Sequence, residues 1–147
     1  MTILVTGGAG YIGSQTSRLL TSLGREIVIL DSLERGNAKS VLGAPLVIGD
    51  IADSALVTNI CLKHQVTSVI HFAAYKSAGE SMSQPEMYWR NNVQGTVNLI
   101  EGMLAANVKH IVFSSSAAVY GNPQSSPISE ASAISPANVY AETKAMM

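Results

Sequence analysis

The chain has 147 residues, 47% of them apolar and 13% charged, with a formal net charge of −1. That balance gives one globular domain a buried core and excludes a disordered chain, and without a basic cluster no nucleic acid is an expected partner. No apolar run approaches the ~18 residues of a membrane span, no charged-then-apolar leader is present and Cys61 is the single cysteine, so no membrane, no intrachain disulfide and a cytoplasmic location are expected.

Ile3-Leu4-Val5 reads as a buried strand that stops at Gly7-x-x-Gly10-x-x-Gly13, where a helical pattern begins at once. Gly7 and Gly10 allow a tight turn and let backbone N–H groups approach an anion. The following helix points its N-terminus, with free N–H groups and a positive dipole end, at the same spot. Gly13 stands one turn into that helix, where a missing side chain allows close packing on the strand. Glu26 to Asp31 reads as a second strand ending in an acid, 18 residues beyond Gly13. A carboxylate there accepts hydrogen bonds from both ribose hydroxyls and repels a 2′-phosphate. Strand, glycine turn, helix and acid together predict dinucleotide binding, with NAD favoured over NADP.

The first helix is expected over about Tyr11–Leu23, with Ile12, Thr16, Leu19, Leu20 and Leu23 on one face and Gly24 as its stop. A polar loop from Ser32 to Gly43 leads to a third strand, Leu46–Ile48, closed by Gly49-Asp50. Asp53 caps a helix to about His64 with Leu56, Val57, Ile60 and Cys61 inward. Strand four is expected at Ser68–Phe72, followed by a loop of small residues from Ala73 to Ser83. Pro85 opens a long helix to about Asn107. Its core stripe is Val93, Val97, Ile100 and Leu104; Asn91, Gly95, Asn98 and Gly102 form a second stripe where another backbone comes close. His110–Phe113 is strand five, ending in Ser114-Ser115-Ser116, and a loop with Gly121, Pro123 and Pro127 precedes a last helix near Ala137. Strands alternating with helices predict an α/β fold, a doubly wound parallel (Rossmann) sheet of order 3-2-1-4-5 in a single domain, 1–147. Ligand is expected across the carboxyl ends of strands one and four. The last helix stops at Met147 in mid-pattern, so the sequence reads as cut off and the domain as incomplete.

Tyr140 and Lys144, four apart on that helix, share a face. A phenol is a poor base at neutral pH, but a neighbouring ammonium stabilises phenolate. The pair can pass a proton to and from a sugar hydroxyl. Ser114 to Ser116 end a strand on the same crevice, where one hydroxyl can orient a substrate oxygen. Asp50 is placed to receive an adenine amino group or to serve only as a loop aspartate, and Lys76 to reach the nicotinamide ribose or a phosphate, or solvent. His71 is expected as a satisfied buried histidine, His64 and His110 as element ends, Trp89 as packing and Cys61 as a small core residue. With histidine and cysteine scattered, no metal site is expected.

These residues resemble a known family. The stretches Val5–Ser14, Asp31–Leu33, Gly49–Ile51, His71–Lys76, Glu80-Ser81, Asn91–Thr96 and Ser114–Gly121, with Tyr140-x-x-x-Lys144, are similar to those of extended short-chain dehydrogenase/reductases over the whole chain. Within them, Phe72-Ala73-Ala74-x-Lys76, Glu80-Ser81 and Asn91-Asn92-Val93-x-Gly95-Thr96 resemble the sugar-nucleotide 4-epimerases. The resemblance implies tightly held NAD and interconversion of UDP-glucose and UDP-galactose by oxidation and re-reduction at C4. It gives Tyr140 the C4 hydroxyl proton, Ser116 a hydrogen bond to that hydroxyl, and Lys144 both the tyrosine and the nicotinamide ribose. By the same carry-over Gly7, Gly10, Tyr11, Ile12, Gly13, Asp31, Ser32, Leu33, Glu34, Arg35, Gly36, Asp50 and Ile51 line NAD. So do Phe72, Ala73, Ala74, Tyr75, Lys76, Asn91 and Ser114, with Lys76 also near substrate. A homodimer through the long and last helices is implied. Ala118 departs from the family's threonine, and Ala117-Ala118 lacks the Asp-Glu pair of the 4,6-dehydratases. Family members also carry a further substrate-binding domain, which the resemblance leads one to expect is missing from these 147 residues. Two rival expectations stand beside this one: an epimerase of another UDP-hexose or hexuronate, and a non-catalytic fragment that binds NAD or self-associates.

Overall fold

The computed structural model describes residues 1–123 and 125–147. In chain order its elements are β1 (Thr2–Thr6), α1 (Tyr11–Ser22), β2 (Glu26–Asp31), β3 (Leu46–Ile48), α2 (Ser54–Lys63), β4 (Val66–His71), α3 (Ala78–Ser83), α4 (Pro85–Tyr88), α5 (Gly95–Ala105), β5 (His110–Phe113) and α6 (Val139–Met146). They form two compact units, one of Met1–Ala74 with Gly95–Ser114, the other of Tyr75–Gln94 with Ser115–Met147.

The first unit is built on a five-stranded parallel sheet of order β3-β2-β1-β4-β5, as the alternating pattern predicts. Side chains alternate across its strands. Leu4, Val28, Leu30 and Val69 enter a core with Val57, Ile60 and Cys61 of α2 and Leu99 and Met103 of α5. Val5, Ile27 and Ile29 point to the other face, where Leu20 of α1 packs. Each such side chain, fully withdrawn from water, contributes roughly 1.5–3 kcal/mol. The order reverses direction between β1 and β4, so the switch point lies at their carboxyl ends.

Helix α1 does not bury the face that its large apolar residues mark. Ile12, Leu19 and Leu23 are exposed, and Gly13, Ser14 and Ser17 are buried. The helix runs close to the strand ends, so small residues turn inward. A Cβ at Gly13 would collide with the Gly7 carbonyl oxygen and stand 2.8 Å from Gly8 Cα.

The single helix expected from Pro85 to Asn107 is divided into α4, a π-helical segment Trp89–Gln94, and α5. In α5 the expected core stripe faces outward, with Val97 43%, Ile100 40% and Leu104 62% exposed. The small-residue stripe packs instead: a Cβ at Gly102 would lie 2.7 Å from the Ser54 carbonyl oxygen of α2. Close approach of two helices selects glycine over bulk, and a hydrophobicity count does not register that choice.

The second unit gathers α3, α4, the π-helical segment and a 3₁₀ turn, Ala117–Tyr120, around α6. The expected loop from Ala73 to Ser83 contains α3, capped by the Ser77 hydroxyl on Glu80 N–H. Tyr88 is fully buried. Its hydroxyl donates to Glu80 Oε2 at 2.6 Å and accepts from Ser77 N–H at 3.0 Å. No helix among the described residues is long and apolar enough to cross a membrane.

Candidate functional site

In the first unit the turn after β1 is shaped by its glycines. Gly7 is left-handed, φ 72°, and a Cβ there would stand 2.6 Å from Ala73 N. Its N–H donates to the Leu30 carbonyl at 2.9 Å and its carbonyl accepts Gly10 N–H at 3.1 Å. Gly10 is the N-cap of α1 and offers no side chain to the first turn. The N–H groups of Tyr11, Ile12 and Gly13 have no acceptor within the helix and form a donor cluster at its positive end. Such an end takes pyrophosphate.

Asp31 ends β2 and is 8% exposed. Its Oδ2 accepts Ala9 N–H and its Oδ1 accepts Leu33 N–H, each at 2.9 Å. Asn37 N–H in turn reaches the Ala9 carbonyl at 3.0 Å. The carboxylate therefore ties the glycine turn to the loop after β2, a task the sequence reading did not assign to it. Each oxygen keeps a lone pair for a ribose hydroxyl. Ser32, Glu34 and Arg35 are exposed around it, and Gly36 packs against Oδ1, where a Cβ would lie at 2.7 Å.

Phe72, Ala73 and Ala74 follow β4 half-buried, and Ser114 N–H donates to the His71 carbonyl at 3.1 Å after β5. Asp50 is exposed and turns back to accept Ala52 N–H at 2.9 Å. Ile51 packs into the core with Val57 and Leu99, so its peptide and not its side chain is left for a ligand. His71 is fully buried, with Nδ1 2.6 Å from Thr6 Oγ1 and Nε2 3.0 Å from Thr96 Oγ1. It is the satisfied core histidine expected. Burial pushes the Cys61 thiol up to about 11, consistent with an inert core residue.

In the second unit Tyr140 and Lys144 lie one turn apart on α6. Tyr140 is half-buried; Lys144 is 6% exposed, and desolvation lowers its ammonium to about 8. The Asn138 side chain caps Ala141 N–H at 2.9 Å. Tyr140 N–H donates to Ser81 Oγ at 3.0 Å. The Tyr140 carbonyl accepts Thr143 Oγ1 at 2.7 Å, and that hydroxyl accepts Asn92 Nδ2 at 3.0 Å. Asn92, fully buried in the π-helical segment, also bonds both peptide groups of Tyr75 and accepts Asn91 Nδ2 at 2.9 Å. Ser116 caps the 3₁₀ turn, accepting Ala118 N–H at 3.2 Å, and retains its own proton for donation. That turn packs against α6. Tyr75 leans on Tyr88, ring centres 5.6 Å apart, and Lys76 is exposed.

The structure thus gathers the glycine turn, Asp31 and the ends of β4 and β5 in the first unit, and Tyr140, Lys144, Ser116, Asn91, Tyr75 and Lys76 in the second. Sequence reasoning assigned no task to Ser81, Asn92 or Thr143. Their bonds to α6 span 59 and 51 residues, a separation that leaves no local spacing to read.

Residues 3–147 match the model of the NAD dependent epimerase/dehydratase family. The chain is 48% identical over 144 residues to a UDP-glucose 4-epimerase of Halalkalibacterium halodurans, covering 98% of this chain and 43% of that protein. It is 47% identical over 148 residues to that of Lactobacillus helveticus, covering 100% and 45%. Its structure is similar to that of UDP-glucose 4-epimerase from Brucella ovis in complex with NAD, TM-score 0.96 and 41% identity, over 99% of this chain and 45% of that one. The chain spans less than half the length of these relatives.

Proposed function

The chain belongs to the NAD dependent epimerase/dehydratase family, and from that premise we propose that it is the NAD-binding portion of an enzyme interconverting UDP-glucose and UDP-galactose, a reaction of galactose metabolism. The observation that carries the reading is the buried Lys144 one turn from Tyr140 on α6. The glycine turn fits a dinucleotide: a Cβ at Gly7 or Gly13 would strike neighbouring backbone and force the turn open, so only glycine keeps the head of α1 against the strand ends, and Asp31 keeps lone pairs for a ribose. Backbone N–H groups of Tyr11 to Gly13 at the head of α1 would hold pyrophosphate, and Asp31 to Gly36 with Asp50 and the Ile51 peptide the adenosine side. Phe72 to Lys76, Asn91, Ser114 and Lys144 would hold the remainder. When bound, NAD supplies the hydride acceptor and donor.

Tyr140 removes and returns the proton of the C4 hydroxyl. The Lys144 ammonium stabilises the phenolate, and Ser116 donates a hydrogen bond to the sugar oxygen. Ala117-Ala118 supplies no acid, which favours epimerisation over dehydration. A second copy of this chain is the proposed partner, since Val97, Ile100 and Leu104 leave an apolar stripe of helical spacing exposed on α5. The test is chromatographic: UDP-galactose incubated with the chain and NAD yields UDP-glucose, and Tyr140→Phe lowers the rate at least about 100-fold. NAD binding without interconversion would reduce the chain to a cofactor-binding piece.

A further inference from the structure

We propose that Ser81 is a positioning residue for Tyr140: its buried hydroxyl caps the first turn of α6 from another helix and sets where the phenol stands. The inference rests on the reading of Tyr140 and Lys144 as the proton-transfer pair.

The first N–H groups of any α-helix lack an intrahelical acceptor. In α6 the Ala141 donor goes to Asn138, the local cap, and the Tyr140 donor goes to Ser81 Oγ at 3.0 Å. The amide donates and the Ser81 oxygen accepts, while the Ser81 proton goes to the Ala78 carbonyl at 2.7 Å, so the hydroxyl is held at both sides. Ser81 is fully buried, so water does not compete for the bond. The helix that carries it, α3, is anchored in turn, through Ser77 on Glu80 N–H and the Tyr88 hydroxyl on the Glu80 carboxylate. At the other end of the same residue, Thr143 holds the Tyr140 carbonyl and is itself held by Asn92. Both peptide groups of Tyr140 are therefore engaged by side chains. A helix of 8 residues has little stability of its own, so contacts of this kind decide its placement. Lys144, one turn on, moves with it.

Two measurements test the inference. In the unaltered chain, amide hydrogen exchange at Tyr140 should be slowed to a degree comparable with Ala141; free exchange at Tyr140 beside a protected Ala141 would overturn it. Titration of the lysine side chains by carbon-13 NMR after reductive methylation, with Lys144 assigned by its loss in Lys144→Arg, gives the second readout. Ser81→Ala should raise the Lys144 midpoint from about 8 by one unit or more toward the ordinary 10.5, and Ser81→Thr, which keeps the hydroxyl, should restore most of it. Asp53→Ala, which removes the cap of α2, should leave the midpoint in place. An unmoved midpoint in Ser81→Ala, or an equal shift in Asp53→Ala, would overturn the proposal; if Ser81→Ala does not fold, the exchange result decides. Neither readout depends on turnover, so absence of epimerisation counts against the proposed reaction and not against this inference.

Discussion

A buried ammonium is disfavoured, and Lys144 answers by releasing its proton near pH 8 instead of 10.5. Between those values the unfolded chain holds a proton that the native chain has lost, so native stability rises with pH. At about 1.4 kcal/mol per unit, the rise is roughly 1 kcal/mol from pH 7 to 9. Urea denaturation at both pH values measures it, and Lys144→Met flattens the difference. Cys61 acts oppositely, but only above its ordinary 9.0, where the unfolded thiol ionises and the buried one does not. Asp31 presents a second residue-scale expectation. Asn in its place offers one acceptor oxygen where Ala9 and Leu33 now use two. Asp31→Asn should therefore lower stability by about 1–3 kcal/mol in a denaturant titration. The spacing of Asp31 and of the Tyr140–Lys144 pair was legible because local periodicity places them. The second task of Asp31 was not, since nothing in a strand-end acid announces that it will also accept Ala9 N–H.

At the scale of elements, strands were read more faithfully than helix faces. Short β-branched runs bounded by glycine and polar residues placed β1, β2, β3 and β5 within a residue or so, and β4 slid from Ser68–Phe72 to Val66–His71. Helices α1 and α5 turned glycines inward and left Ile12, Leu19, Val97, Ile100 and Leu104 outward, because close backbone approach overrides side-chain hydrophobicity where two elements nearly touch. The π-helical segment was invisible for a different reason: Asn92 inside it is ordered by tertiary hydrogen bonds to Tyr75 and Thr143, not by propensity. Gly13→Ala tests the packing argument. Its methyl has nowhere to go but the Gly7 carbonyl and Gly8 Cα, both backbone. Overpacking of that kind costs about 1–3 kcal/mol, and thermal denaturation should show the variant melting well below the unaltered chain.

For the whole molecule, the exposed Val97, Ile100 and Leu104 stripe makes a prediction about assembly. Sedimentation equilibrium should find a dimer, and Ile100→Lys, which places a charge in the stripe, should shift it to monomer; an unaltered dimer in that variant would move the interface elsewhere. The glycine turn and the acid at the end of β2 were readable from the sequence because each follows from a short local pattern, and the sheet order because strands alternate with helices along the chain. The hydrogen bonds that hold α6 connect residues far apart in the chain, and only the folded structure displays them. The proposed reaction requires the first unit to take NAD, and isothermal titration of NAD and of NADP into the purified chain measures this directly. Saturable one-to-one binding of NAD, with NADP at least about 10-fold weaker because Asp31 repels a 2′-phosphate, is the predicted result. No heat of binding, or equal affinity for the two cofactors, would contradict it.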